Sequence, residues 1–233
     1  MKNFIAKRTG QMLIVFVIVS IFSFSIIYFS PGDPLYLYTS PAVSSYKMTE
    51  EQLDDMRESL GLTGNVVQRY INWAGKMLQG DWGLSISNHQ SVKEQIMDKL
   101  PNTIGLMGAA LLLSVLVAIP LGLLAGYYKN SWVDMIISAI SYLGISLPAF
   151  WFGIMLIIVF SMNLGVLPSS GMRTIGVTSA WDVIRHGILP TVVLSVNNIA
   201  VFVWYIRANT IEQMEEEYVI TAISKGVPQF HVM

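Results

Sequence analysis

Glu215, Glu216, Glu217, Tyr218, Thr221, Ala222, Lys225 and Gly226 bring acids, a phenol, an ammonium and a flexible glycine into one twelve-residue segment, 215–226. The chemistry on offer there is recognition rather than bond making. The segment is charged and helix-prone, and it directly follows an uncharged stretch. A polar segment hung on a membrane bundle is where a soluble partner can grip it. Groups for catalysis are sparse elsewhere. His89, His186 and His231 stand far apart, in or beside loops. No His-Glu-x-x-His, Gly-x-x-x-x-Gly-Lys-Ser/Thr or Gly-x-Ser-x-Gly pattern occurs. Cysteine is absent, which excludes disulfides and thiolate metal sites and says nothing about compartment. The expectation is no catalytic residue, no metal site and no enzyme activity.

The elements that must position the polar tail are read from the distribution of charge. Only 12% of the 233 residues are charged and 53% are hydrophobic, where an ordinary soluble domain has about a quarter charged. Residues 11–29, 102–127, 135–162 and 188–206 contain no Asp, Glu, Lys or Arg at all. A charge at the centre of a spanning helix costs about 2.5–3.5 kcal/mol, and about 17–25 residues of helix cross a bilayer core. The sequence therefore predicts an all-α polytopic membrane protein with four transmembrane helices. Four such runs do not fit the buried core of a soluble protein this short. With a net charge of −1 and no basic stripe interleaved with aromatics, nucleic acid is not an expected partner. No carboxylate lies inside any span, so a proton relay has nothing to run on. Uphill movement of a solute would need energy from a partner.

Lys2, Lys7 and Arg8 place the amino terminus on the cytoplasmic side. The first apolar stretch runs into Ser30-Pro31-Gly32-Asp33-Pro34 without an Ala-x-Ala site, and reads as a retained signal anchor. Three parts follow: 1–29, the cytoplasmic amino terminus and first span; 30–101, an extracytoplasmic helical segment; and 102–233, the remaining spans with the cytoplasmic tail. Alternation puts 128–134 and 207–233 inside and 163–187 outside. In the outer segment, Thr49 and Gln52 form a capping box, with Met48 and Leu53 as a hydrophobic staple. Leu53, Met56 and Leu60 line one face, and Gly61 closes that helix. A second amphipathic helix carries Val67, Tyr70, Ile71, Ala74 and Met77 or Leu78, and ends in Gln79-Gly80-Asp81-Trp82-Gly83. The product is a small helical cap, which shields helix ends or docks an external partner.

Within the membrane, Gly122 and Gly126 form a Gly-x-x-x-Gly pair for close helix packing, with Gly105, Gly108 and Ala109 adding small residues higher up. Pro120 and Pro148 are expected to interrupt their helices. Asn197 and Asn198 fall in the middle of the fourth span. Polar groups at that depth face the bundle or a wet cavity, so an interhelical hydrogen bond and a place on a substrate path are both open.

An ordered set of short motifs carries a resemblance. It comprises Pro31-Gly32-Asp33-Pro34, Leu60-Gly61-Leu62, Gln79-Gly80-Asp81-Trp82-Gly83, Leu100-Pro101-Asn102-Thr103, Ile119-Pro120-Leu121-Gly122, Leu147-Pro148-Ala149-Phe150-Trp151, Leu167-Pro168-Ser169-Ser170-Gly171 and His186-Gly187-Ile188-Leu189-Pro190. With the tail they make the chain resemble, over its whole length, the permease subunits of binding-protein-dependent ABC importers in the dipeptide, oligopeptide and nickel branch. The resemblance implies a plasma-membrane protein of a prokaryote that imports short peptides or related small solutes. It implies a second homologous permease, two ATP-binding subunits and an extracytoplasmic solute-binding protein as partners, in a lipid bilayer. No cofactor is bound directly; ATP is used by the partner subunits. The tail is similar to the "EAA" loop, whose short helix docks on the ATPase, and the residues matched to that role are Glu217, Tyr218, Thr221, Ala222, Lys225 and Gly226. Tyr218, Ala222 and Lys225 share one side of the helix, with Tyr218 to fill a pocket and Lys225 to pair with a carboxylate. Ile220 and Ile223 stand where the family commonly has Arg, and Trp204 stands where many members carry another, while Arg207 is retained.

Family members continue past the loop glycine into two more spans. The expectation is therefore an amino-terminal fragment of an importer permease that does not transport alone. The alternative is a non-transporting membrane interaction protein or remnant fragment, which would hold partners by its outer cap or tail. An intramembrane enzyme is a distant third for want of residues.

Overall fold

Lipid cannot hydrogen-bond a backbone, so apolar runs satisfy their amides internally as helices. The computed structural model describes residues 1–30, 49–59, 63–85, 88, 90–228 and 232. In chain order the helices are α1 (Lys2–Phe29), α2 (Glu50–Ser59), α3 (Val66–Leu78), α4 (Val92–Tyr127), α5 (Trp132–Ser146), α6 (Ala149–Leu156), a π-helical segment (Ile157–Asn163), α7 (Ala180–Met214) and α8 (Glu217–Ser224). The helices α1, α4 and α7 are each long and apolar enough to span a membrane. The pair of α5 and the α6–π run is also apolar enough but is bent by 99° at a short break, the geometry of a broken span or a re-entrant loop, so the expected four spans are three or four. The all-α polytopic architecture expected from the charge-free runs is the observed one. Two compact units, Met1–Lys99 and Leu100–Met233, divide the chain.

In the first unit, α1 buries none of its described side chains. A helix apolar on every side is built for lipid or protein neighbours. Its carboxy-terminal half receives α3: Phe24 lies 5.5 Å from Tyr70 and 5.6 Å from Trp73 between ring centroids. Ser20 and Tyr70 share a 3.1 Å hydrogen bond, and Arg69 sits 4.8 Å over the Tyr28 ring. The capping box at Thr49 and Gln52 forms at the start of α2, with bonds of 3.0 and 3.4 Å. A second box, Asn65 with Gln68, starts α3. The turn after α3 uses Gly80 at φ 83° and Gly83 at φ 73°, and the Asp81 carboxylate accepts from the Gly83 amide. Several expectations fall outside the described residues: Pro31-Gly32-Asp33-Pro34, the staple residue Met48, Leu60-Gly61-Leu62 with its helix closure, His89, His231, and the side chains of Leu53 and Met56.

The second unit is a bundle of α4 from Leu100 onward with α5, α6, α7 and α8. Its core is made of small residues. Ala110, Ser114, Ala118, Gly122, Ala125 and Gly126 are buried along one stripe of α4. Opposite them on α7 lie buried Ser195, Val203 and Thr210. A Cβ on Gly122 would meet the Ile206 side chain at 2.6 Å, and one on Gly126 would meet Thr210 at 2.5 Å. Backbones this close gain dispersion that no apolar force supplies in lipid. The Ser114 hydroxyl adds a bridge, donating to the Ala110 carbonyl at 2.6 Å and reaching the Ser195 carbonyl at 3.3 Å.

Two expectations are corrected here. Gly105 and Gly108 have open space where a side chain would be, because the small-residue seam turns through Ala110, Ser114 and Ala118 instead. Pro120 does not end its helix: α4 runs unbroken through Pro101 and Pro120. Close packing at Ala118 and Gly122 on either side holds the helix despite one missing amide donor. Pro148, by contrast, marks a true break. Leu147 takes φ −77° and ψ 122°, the extended backbone a residue before proline prefers. Pro148 is then the residue that caps the start of α6, where no amide is required.

Candidate functional site

The tail forms a short helix because its local sequence supplies both ends. Glu216 and Glu217 bring negative charge to the amino end of α8, where helix amides point outward. At the other end, the Gly226 amide donates to the Ile223 carbonyl at 2.9 Å, and the Val227 amide to the Ala222 carbonyl at 3.2 Å. That pair of bonds is a Schellman motif, and it requires the positive φ of 88° that Gly226 adopts. Only the residues Glu215 and Glu216 separate α7 from α8, so the two helices meet at a tight elbow.

Val219 anchors α8, with 2% of its surface exposed. It closes an apolar hollow between α4, α7 and α8, lined by Leu123, Ile206 and Met214. Tyr218 stays 60% exposed, its hydroxyl donating to the Gln213 side-chain oxygen at 2.7 Å. Ala222 is half-buried, while Glu217, Thr221, Lys225 and Gly226 are exposed. Ile220 and Ile223 are also exposed, so the outward face of α8 is more apolar than a solvated tail requires. Sequence reasoning overlooked Val219, the residue that seats the helix, and Gln213, which orients the tyrosine. The signal for Val219 was present: with Ala222 and Ile223 it makes an apolar side of α8 opposite Glu217 and Thr221.

Beside the elbow lies a polar cluster that the sequence reading also missed. The turn from α4 to α5 passes through Asn130, the one described non-glycine residue at positive φ, 63°. Ser131 caps α5 by accepting from the Asp134 amide. The Asp134 carboxylate then collects four donors: the Asn130 amide at 2.9 Å, the Ser138 hydroxyl at 3.2 Å, and Arg207 Nε and Nη2 at 2.5 and 2.7 Å. This bidentate fork is the strong form of a carboxylate–guanidinium contact. The Asp134 side chain is only 5% exposed and that of Arg207 25%. Trp132, Tyr142 and Trp204 surround the pair in an open hollow of about 460 Å³. A second bridge, Lys129 Nζ to Glu215 at 2.7 Å, ties the same turn to the elbow in a more exposed setting. The sequence does hold a clue to the inner pair. Asp134 directly precedes one charge-free run and Arg207 directly follows another, and alternation puts both on the same side of the membrane.

Asn197 and Asn198 are both exposed on α7. Asn198 donates to the Leu194 carbonyl of its own helix at 3.1 Å, and Asn197 has no hydrogen-bond partner among the described residues. Among the described residues neither hydrogen-bonds another helix. His186, which the sequence left in or beside a loop, lies on α7 with its ring against the Asp182 carbonyl at 2.8 Å. Among the described residues no group of three or more His, Asp or Glu side chains is arranged to hold a metal.

Comparison with known proteins gives two family matches that together cover nearly the whole chain. Residues 118–233 match the family described as binding-protein-dependent transport system inner membrane component. Residues 1–107 match the family described as the amino-terminal part of a binding-protein-dependent transport system membrane component. The oligopeptide transport system permease protein AppB of Bacillus subtilis is 34% identical across 100% of this chain and 73% of its own length. A putative peptide permease protein of Brucella suis is 34% identical across 92% of this chain and 67% of its own length. A probable peptide ABC transporter permease protein of Sinorhizobium fredii is 32% identical across 99% of this chain and 72% of its own length.

Proposed function

Because this chain belongs to the family of binding-protein-dependent transport system inner membrane components, we propose that it is a permease subunit of an ATP-driven importer of short peptides, worked through segment 215–226. Membership makes it a multi-pass plasma-membrane component of a multi-subunit transport system. The substrate class rests on the relatives, which are named peptide permeases. The assembly would contain a second related permease, two ATP-binding subunits that use the ATP, and an external solute-binding protein.

One observation carries the coupling role. The helix α8 is fully formed and capped within this single chain, seated by Val219, and yet it presents Tyr218, Ile220 and Thr221 outward. A helix ordered before it meets its partner spends little conformational entropy on docking. Seated by Val219 beneath α4 and α7, it can pass a rigid-body movement of a partner into the bundle. The exposed amide of Asn197, with no hydrogen-bond partner among the described residues and beside the exposed Asn198, supports a second role. An unpartnered amide at membrane depth calls for water or protein, and a solute path between this chain and the second permease supplies both.

The test is to isolate the chain from its native membrane and identify each co-purifying subunit, then to assay uptake in vesicles. An ATP-binding subunit should be retained, and Tyr218→Asp should release it while insertion into the membrane continues. ATP-dependent accumulation of a short peptide should follow reconstitution of the complex. If Tyr218→Asp holds the ATPase as well as the parent does, α8 is not the contact. A stable complex that moves no solute with ATP would make the chain a non-transporting interaction protein.

A further inference from the structure

We infer that Lys129 and Asp134 form a two-point clamp that holds the end of α7, and with it the elbow that carries α8, against the turn into α5, making Lys129, Asp134, Arg207 and Glu215 positioning residues for the docking helix. The inference rests on the coupling role proposed for α8 and assigns that role a transmission part. Neither pair touches α8 itself; both hold the end of α7 that carries it. Arg207 sits two turns before the end of α7, and Glu215 is the elbow residue just ahead of α8. Their partners sit at the two ends of a single turn, Lys129 before Asn130 and Asp134 in the first turn of α5.

Two points constrain what one cannot. A single ion pair would leave the elbow free to pivot about it. Two pairs, separated by eight residues or about 12 Å of helix rise along α7, remove that pivot. The inner point is rigid, since four donors saturate the Asp134 carboxylate and leave Arg207 one orientation. The turn itself is held in shape by the Asn130 amide bond to that carboxylate. The outer point is the softer one, with Lys129 45% and Glu215 67% exposed, where ionic strength screens the attraction. Any push on α8 therefore reaches α5 through the turn as well as α4 through Val219. In α5 it meets a helix that ends at the Pro148 break.

The chain has no cysteine, so paired spin labels can be placed cleanly at Met135→Cys on α5 and Ile220→Cys on α8, both exposed positions. In the full chain in lipid discs, the distance distribution between the labels should be narrow. Lys129→Glu should widen it about twofold, Arg207→Leu should widen it further, and Lys129→Glu combined with Glu215→Lys should restore it. An unchanged width in Lys129→Glu, which leaves the buried pair intact and so should fold, overturns the clamp. So does failure of the exchanged pair to restore it. In the complex with its ATPase, Lys129→Glu should leave subunit retention unchanged and lower uptake per ATP about fivefold or more, the range of ordinary site-to-site coupling. Unchanged uptake per ATP would equally refute the positioning role. Should the parent chain retain no ATPase, the docking proposal fails separately, and the label distances still decide the clamp.

Discussion

The interface of α4 with α7 and the charged elbow below it solve the same problem, joining helices, by opposite means. The seam is made of absence: Gly122 and Gly126 have no side chains, and their neighbours Ile206 and Thr210 occupy the vacated space. The elbow is made of long polar side chains reaching across a gap, Arg207 to Asp134 and Lys129 to Glu215. The reason is the surrounding medium. In hydrocarbon, a reaching charge is costly and a close backbone contact is cheap. At the membrane edge, water and aromatic rings let charges pair. The two joints also differ in what they permit. A steric seam has a single fitted position, whereas ion pairs can lengthen, screen and re-form. At the elbow only the outer, exposed pair of Lys129 and Glu215 has that freedom, while the saturated inner pair does not.

Breaking the inner ion pair should have the largest effect. Arg207→Leu leaves a buried carboxylate uncompensated and should cost about 3–4 kcal/mol, read as a fall in the midpoint of denaturation in detergent. Adding Asp134→Leu should recover most of that loss, and a double-mutant cycle measures the coupling. If the single and double variants are equally unstable, the pair is not what holds the elbow. Overpacking the seam comes next. Gly126→Leu should cost about 2–3 kcal/mol, because both Thr210 and the Arg207 carbonyl lie within reach of the new side chain. No loss there would mean the helices separate readily and the seam is not steric.

Smaller changes sharpen the contrast at the tail. Gly226→Ala forces a side chain onto a φ of 88° and should cost about 1 kcal/mol, confined to α8. Hydrogen exchange should show faster opening at the Gly226 and Val227 amides and no change in α7. Lys129→Ala should move global stability by less than about 0.5 kcal/mol, since exposed pairs contribute little. That near-silence, set beside a clear change in the placement of α8, would separate a positioning role from a stabilising one.

Much of the architecture was legible because lipid imposes a simple rule on composition. The charge-free runs located the spans, and Thr49 with Gln52 announced a helix start that the structure contains. Pro120 and Pro148 show where local rules stop. Both lack an amide donor, yet α4 continues through one and the chain breaks at the other. The site was legible in part. The tail's helix and its closing glycine follow from local sequence, but the burial of Val219 depends on where α4 and α7 leave a hollow.

By itself, the sequence determined that this chain is an all-α membrane protein, that residues 11–29, 102–127, 135–162 and 188–206 carry no Asp, Glu, Lys or Arg, and that a charged segment at 215–226 follows the last of them. Those properties are local: they depend on which residues follow one another, and on the cost of placing charge in hydrocarbon. Only the tertiary structure decided that Asp134 meets Arg207 across 73 positions of chain and that the small-residue seam runs through Ser114 rather than Gly105. It also decided that Val219 seats α8 against the bundle while Tyr218 stays exposed. Such choices depend on which helix faces turn toward each other, a property of the assembled bundle that no single segment contains.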